Sequence, residues 1–134
     1  MKIKVVFCNC NGLKLEPEDL DMNTLPNDVE EDIDIQYAVM HPKLCGRGGL
    51  AFLQDLLRGS DWDTYFLVAG CSTEMQPIFL GDVVRDSGFP ADRFIPVEIR
   101  GANNREAREA VLQAVGQLLV RKGGGSMAVD GFGG

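Results

Sequence analysis

Four cysteines are the residues whose type and spacing best suit chemistry, and each of them follows a stretch with the pattern of a β-strand. They are Cys8, Cys10, Cys45 and Cys71. The carboxyl ends of parallel strands meet at one edge of a sheet, where α/β proteins place their ligands, so we expect the four thiols to gather there. Thiolates are the ligands that iron-sulfur clusters require, and a [4Fe–4S] cluster takes four of them. The pattern therefore predicts a cluster bound by all four cysteines.

Other chemistry remains open to the same thiols. A zinc ion takes four thiolates in a closed tetrahedral site that has no redox function. A [2Fe–2S] cluster also takes four. Cys8 and Cys10 are close enough in sequence for thiol-disulfide or persulfide chemistry, and one or two of the cysteines could simply be small buried hydrophobic residues. The sequence contains no Ser-His-Asp set, metal-hydrolase pair or nucleotide fingerprint, so the chain alone is not predicted to be catalytic.

Residues in the same loops are expected to surround the bound group. They are Gly12, Gly46, Ser72 and His41. Glycines let backbone amides approach the sulfurs closely, and the amino ends of two helices would point at an anionic site. Amide donors of this kind tune a cluster's reduction potential. His41 is the only histidine in the chain and is a candidate hydrogen-bond donor to the site.

The elements that position these residues follow from hydrophobic patterning. The apolar run 65–69 is typical of a strand buried on both faces of a parallel sheet. Further strand patterns at 2–7, 33–39 and 94–99 alternate with helical patterns, which predicts right-handed crossovers and a parallel sheet. Pro96 marks the fourth strand as an edge strand or shortens it. We therefore predict a single-domain α/β fold of about four strands in the order 2-1-3-4, like half of a flavodoxin fold.

The helices differ in how clearly the sequence specifies them. Between the first two strands the pattern is weak: Pro17 predicts a short helix over 17–22, ended by Asn23 and Pro26. The acidic run 30–32 is interpreted as a solvated approach to the second strand.

Capping patterns specify the later helices more clearly. Gly59 is expected to end the second helix. Thr73 and Gln76 have the spacing of a capping box that opens the third helix, and Asn103 and Glu106 have the same spacing at the start of the fourth.

Composition limits the function classes. The chain has 134 residues, 45% of them hydrophobic, which suits one domain over 1–122 followed by a flexible glycine-rich tail over 123–134. The net charge of −7 argues against nucleic-acid binding and anionic membranes. No apolar run is long enough to span a membrane, and no signal peptide precedes the first strand, so we expect a cytoplasmic protein. In that reducing compartment cysteines act as ligands or redox thiols more often than as disulfides.

Several blocks of the sequence resemble the amino-terminal domain of the large, flavin-carrying subunit of heterodisulfide reductases and its relatives. The blocks are Cys8-Asn9-Cys10, Leu44-Cys45, Val68-Ala69-Gly70-Cys71-Ser72 followed by Pro77 and Phe79, Asp86-Ser87-Gly88-Phe89, and Ile99-Arg100. In that family a C-x-C-G turn, a later L-C-S and an A-C-S-P-x-x-H-E-P-x-F block occur in the same order. The resemblance covers roughly residues 2–122. A more distant similarity links the chain to the small iron-sulfur subunit of methyl-viologen-reducing hydrogenases.

The resemblance implies an electron-transfer module or small subunit of a multisubunit oxidoreductase complex of anaerobic metabolism, with flavin- and iron-sulfur-containing partner subunits. Cys8 and Cys10 match the family's C-x-C pair, Cys45 its second block and Cys71 its third. The alternative, from another class, is a zinc- or thiol-bearing docking domain that carries no electrons.

The chain also departs from the family pattern. Thr73 stands where the family has proline, Gln76 where it has histidine, and Gly46 where serine is usual. Pro77 and Phe79 come one residue early, so we expect contacts around the bound group to differ from those in the family.

Overall fold

A computed structural model describes residues 2–8, 21, 23–41, 43–61 and 63–124, and in this range the chain folds as a parallel sheet with helices on both faces. The strands are β1 (Lys2–Cys8), β2 (Tyr37–His41), β3 (Thr64–Gly70) and β4 (Phe94–Glu98). The helices are α1 (Leu25–Asp32), α2 (Arg47–Arg58), α3 (Met75–Asp86) and α4 (Asn104–Gly124), with a short 3-10 helix (Ala91–Arg93) before β4. The strand order is β2-β1-β3-β4, which confirms the predicted 2-1-3-4 topology.

Two hydrophobic cores lie on the two sides of the sheet. In the central strand β1, Val5 and Phe7 join the core that includes residues of α1 and α4. Val6 and Cys8 face the opposite core, which includes residues of α2 and α3. Because both faces of β1 and β3 are covered, these strands are almost continuously apolar, as their sequence pattern predicts. Cys8 therefore ends β1 on the side that carries α2 and α3.

The open edge of β4 is protected by a proline. Just past the end of β4, the Ile99 amide donates a hydrogen bond of 2.9 Å to the Gly70 carbonyl of β3. Successive residues of a strand direct their amides to opposite sides, so Pro96 occupies a position whose amide would face away from β3. The missing donor therefore lies on the unpaired side, which confirms the predicted edge strand and blunts it against association with other strands.

The first helix corrects the prediction for this part of the chain. Pro26 lies in the first turn of α1, a helix that the sequence did not predict, and this is possible because that turn needs no intrahelical amide donor. Leu25 and Val29 are one turn apart and buried, and this pair anchors α1 to the sheet. The acidic run 30–32 belongs to α1 and is not an approach to β2. Apart from Asp21, the helix predicted over 17–22 lies outside the described residues.

The last helix begins as its sequence predicts. The Asn103 side-chain oxygen accepts a hydrogen bond of 2.8 Å from the Glu106 amide, and a Glu106 carboxylate oxygen accepts one of 3.1 Å from the Asn103 amide. This reciprocal pair is the predicted capping box. Helical backbone continues to Gly124, two residues beyond the predicted domain boundary, and residues 125–134 lie outside the described range.

None of the helices in the described part of the chain combines the length and the apolar character needed to cross a membrane.

Tyr37 of β2 supplies a pH-dependent prediction. Its hydroxyl is buried without a hydrogen-bond partner among the described residues, and burial raises the pKa of Tyr37 to about 12. Above the ordinary tyrosine pKa of about 10, the unfolded chain loses this proton while the folded protein keeps it. The free energy of unfolding should therefore fall as the pH rises from about 10 towards 12, and be unaffected by this group below that range.

Tyr37→Phe removes both the ionisation and the unpaired hydroxyl. We expect urea unfolding at neutral pH to show equal or slightly higher stability for the variant, since no hydrogen bond is lost. At about pH 11 the variant should be clearly more stable relative to wild type than at neutral pH. An identical stability difference at both pH values would contradict this interpretation.

Candidate functional site

Three of the four predicted cysteines line one small cavity at the carboxyl edge of the sheet. Cys8 ends β1, Cys71 directly follows β3, and Cys45 lies in the turn before α2. The cavity is lined by Cys8, Leu44, Cys45, Val68, Gly70, Cys71, Gln76, Phe79 and Leu80. Cys10 and Gly12 lie outside the described residues. The predicted convergence therefore holds for the three cysteines that the structure describes.

The Cys8 sulfur is held by a backbone donor from a distant loop. The Leu44 amide donates a hydrogen bond to Cys8 Sγ at 3.3 Å. Cys8 is only 7% exposed and Leu44 only 1%, so this contact is shielded from water. A hydrogen bond to sulfur favours the thiolate over the neutral thiol, and such donors also tune metal-bound thiolates. The bond also ties the end of β1 to the turn that carries Cys45.

Close backbone packing places that turn against α2. A Cβ atom built on Gly49 would lie 2.0 Å from the Lys43 carbonyl oxygen and 2.4 Å from Leu44 Cα, so only glycine fits there. Gly46 immediately precedes α2, and a Cβ atom on it would lie 3.4 Å from the same Lys43 oxygen. Gly46 does not itself line the cavity. Gly49 thus allows the Cys45 turn to fold tightly onto the start of α2, whereas the contact at Gly46 is an ordinary van der Waals distance.

His41 lies beside the site and stabilises the same turn. It is the register partner of Cys8 in the pairing of β1 with β2. Its Nδ1 accepts a hydrogen bond of 3.0 Å from the Lys43 amide, and its ring centroid is 5.0 Å from that of Phe52. We predicted a donor to the site. The Nδ1 atom is an acceptor for the loop that holds Cys45, and a donor role for the other ring nitrogen stays a prediction.

The turn after β3 is shaped by Gly70 and Ser72. A Cβ atom on Gly70 would lie 3.2 Å from Cys8 Cβ, so a glycine lets the side chain of Cys8 pack closely against β3. Ser72 Oγ accepts a hydrogen bond of 3.2 Å from the Met75 amide at the start of α3. Ser72 thus stabilises the first turn of α3, and it is not among the residues that line the cavity.

Gln76 lines the cavity and is buried, which sequence reasoning did not predict when it placed this residue in a capping box. Its amide nitrogen, Nε2, donates to the Cys71 carbonyl at 3.0 Å and to the Val97 carbonyl at 3.2 Å. The predicted capping box with Thr73 is wrong, because α3 begins at Met75 after Glu74 and has no side-chain cap hydrogen bond, the Gln76 backbone amide donates to the Ser72 carbonyl, and Gln76 Oε1 accepts from no described donor. Gln76 begins a buried stripe with Leu80 and Val84 on α3. A glutamine at the first position of an otherwise apolar stripe was the available signal.

The exposed side of α3 carries an apolar rim beside the cavity. Met75 is 38% exposed, Ile78 71% and Phe79 44%, and Phe79 also lines the cavity. Cys45 is exposed and Cys71 partly exposed, so the cysteine cavity lies close to the protein surface at this rim.

The donor set suits a metal cofactor in chemistry, although it does not form a compact site for one ion. Within the described ranges, no three His, Cys, Asp or Glu side chains lie close enough together to hold a single metal ion. Three cysteines around one cavity, with a backbone donor to one sulfur, match the ligand type and the tuning contacts of an iron-sulfur cluster. Cys8, Cys45 and Cys71 are the described residues that would hold such a group.

No protein-family model matches the chain, and no curated protein matches its sequence significantly. The fold and the site together define an α/β protein with a parallel four-stranded sheet and a cysteine-lined cavity at its carboxyl edge.

Proposed function

We propose that this chain is an electron-transfer module or small subunit of a multisubunit, heterodisulfide-reductase-like oxidoreductase complex. It binds one [4Fe–4S] cluster through Cys8, Cys10, Cys45 and Cys71 and works in the reducing cytoplasm. One observation carries the proposal: three cysteines from separate loops, far apart in sequence, line the same cavity. Cysteines that served only as small hydrophobic residues would have no reason to share one site.

The residues around the cavity support this role, because they include apolar walls and one backbone hydrogen-bond donor. When bound, the cluster supplies one-electron transfer, and the chain holds it and sets its reduction potential. Val68 and Leu80 form apolar walls of the cavity and keep water from its inner side. The Leu44 amide offers Cys8 a hydrogen bond that stabilises negative charge on sulfur. Electron transfer needs no general acid or base, so the chain is not proposed to be catalytic alone.

The partner surface is supported by the apolar rim. Ile78 and Phe79 are exposed on α3, and the second of them also lines the cavity. Exposed apolar side chains beside a site are typical of protein-protein contacts. We propose that partner subunits carrying flavin and iron-sulfur groups dock over this rim, as the family resemblance implies. The net charge of −7 disfavours nucleic acid as the partner.

Metal and sulfide analysis tests the proposal directly. Protein purified without oxygen should contain about four irons and four acid-labile sulfides per chain. Two irons and two sulfides per chain would indicate a [2Fe–2S] cluster instead, and the proposed electron-transfer role would stand. One zinc without sulfide would refute electron transfer and indicate a docking domain. A protein without bound metal would also refute the proposal and leave only thiol chemistry or a scaffold.

A further inference from the structure

The outer edge of β2 is closed by a side chain from α1. The Ala38 amide donates a hydrogen bond of 2.7 Å to a carboxylate oxygen, Oε2, of Glu30. In the described sheet β2 is the outermost strand beside β1, at the opposite edge from β4. An edge strand presents a row of backbone donors and acceptors with which another strand can pair. Glu30 therefore occupies a donor that would otherwise be open to such a strand.

The direction of the Ala38 amide follows from the register of the sheet. The Lys2 amide donates to the Asp63 carbonyl just before β3, so even-numbered residues of β1 bond towards β3 and odd-numbered residues, such as Val5, bond towards β2. In a parallel pair, a residue bonds to the two neighbours of its register partner, and that partner directs its own amide and carbonyl away. Ala38 is the partner of Val5, so its amide lies on the open side of β2.

The segment that forms this edge is well suited to strand pairing. Residues 35–41 read I-Q-Y-A-V-M-H and contain no Asp, Glu, Lys, Arg, Pro or Gly. Uncharged segments of about this length with high β-propensity associate readily through their backbones. Met40 also directs its amide outward, because it is the partner of Phe7, and it is 36% exposed. Unlike β4, which has Pro96 at its open side, β2 has no protecting residue within the strand itself.

We propose that Glu30 is a gatekeeper of this edge, which keeps β2 of one copy of the chain from pairing with β2 of a second copy. Its carboxylate satisfies the Ala38 amide and occupies the position that a carbonyl of an incoming strand would take. This role is independent of any group that the cysteines bind.

The topology limits how far association could go if the edge were opened. Two identical β2 edges can pair antiparallel about a two-fold axis, which joins the two sheets and leaves one β4 at each outer end. Pro96 blunts both of those ends. Opening the β2 edge should therefore produce a dimer and not a fibre.

Two substitutions on α1 separate the hydrogen bond from the charge. Glu30→Ala removes the acceptor together with one negative charge. Glu31→Ala removes the same charge from the next residue, which is exposed on the same helix, and is the matched control. Glu30→Gln keeps a side-chain oxygen without the charge. Both glutamates are exposed and alanine is the best helix former, so the alanine variants should fold, which far-ultraviolet circular dichroism would check.

Analytical ultracentrifugation over a range of protein concentrations measures the association. High salt would be present, because it screens repulsion between the acidic helices of two copies. Glu30→Ala should form dimers at a protein concentration roughly tenfold or more below that needed by wild type or Glu31→Ala, since its edge donor is open. Glu30→Gln should behave like wild type. Adding Met40→Lys to Glu30→Ala should abolish the dimer, because a charged side chain on the edge opposes strand pairing.

Several results would overturn the inference. Equal dimerisation of Glu30→Ala and Glu31→Ala, or of Glu30→Ala and Glu30→Gln, would assign the effect to charge and not to the hydrogen bond. A folded Glu30→Ala protein that stays monomeric would show that the edge needs no gatekeeper. An unfolded one would assign the bond to folding, and aggregates larger than a dimer, or a dimer that survives Met40→Lys, would exclude pairing through β2. None of these outcomes depends on metal content, so this inference and the proposed function fail separately.

Discussion

Replacing Cys71 by alanine is expected to abolish iron and sulfide binding while leaving the sheet folded. Cys71 directly follows β3, and its side chain lines the cavity with those of Cys8 and Cys45. Removing one thiolate of a cluster's set leaves an iron without its protein ligand. The fold should survive, because Cys71 is only partly buried and Ser72 still stabilises the start of α3.

The control for this experiment lies two residues away. Thr73 is exposed in the same turn and does not line the cavity, so Thr73→Ala should keep its full iron and sulfide content. Metal content would be measured on anaerobically purified protein, and far-ultraviolet circular dichroism would report the fold. Full iron content in Cys71→Ala would remove Cys71 from the ligand set and with it the predicted four-cysteine site.

Gly49→Ala is expected to destabilise the protein strongly. The added Cβ would lie 2.0 Å from the Lys43 carbonyl oxygen. The oxygen belongs to the backbone and the backbone fixes the position of the Cβ atom, so neither can rotate away. Relieving the overlap must separate α2 from the turn that carries Leu44 and Cys45. Overpacking of a tight site costs about 1–3 kcal/mol and occasionally more, and this contact belongs at the upper end.

Gly48 provides the matched control for this substitution. It precedes Gly49 in the same turn of α2, and a Cβ atom on it would meet nothing within 4 Å. Gly48→Ala should therefore be neutral or stabilise the helix by up to about 1 kcal/mol. Urea unfolding of the two variants compares them directly. Equal midpoints would show that the turn and α2 are not packed backbone to backbone.

Gly49→Ala should also weaken the proposed metal site. The displaced turn holds the Leu44 amide that donates to Cys8 Sγ. Variant protein that folds should therefore contain less iron than wild type, whereas Gly48→Ala should contain the same amount. This link between a helix glycine and the cysteine cavity arises because the site is assembled from separate loops.

The sequence by itself determined the order of elements and the edge where the cysteines meet. Strand and helix periods alternate along the chain, and the right-handed crossover rule leaves few arrangements of a parallel sheet. The capping box of Asn103 and Glu106 was predictable because it depends on residues three apart. The position of Pro96 at an open edge was predictable because proline has no amide hydrogen to donate to a neighbouring strand.

Tertiary structure alone decided the rotation of the helices and the wall of the cavity. Burial of Leu80 and Val84 turns Gln76 inward and leaves Ile78 exposed. The sequence pattern of α3 alone does not distinguish these two faces of the helix. The need for glycine at Gly49 depends on a carbonyl six residues earlier in a folded turn. Local patterns report on neighbours in sequence. The Gln76 side-chain amide and the Gly49 backbone contact carbonyls that only folding brings to them, so these features could be found only in the folded chain.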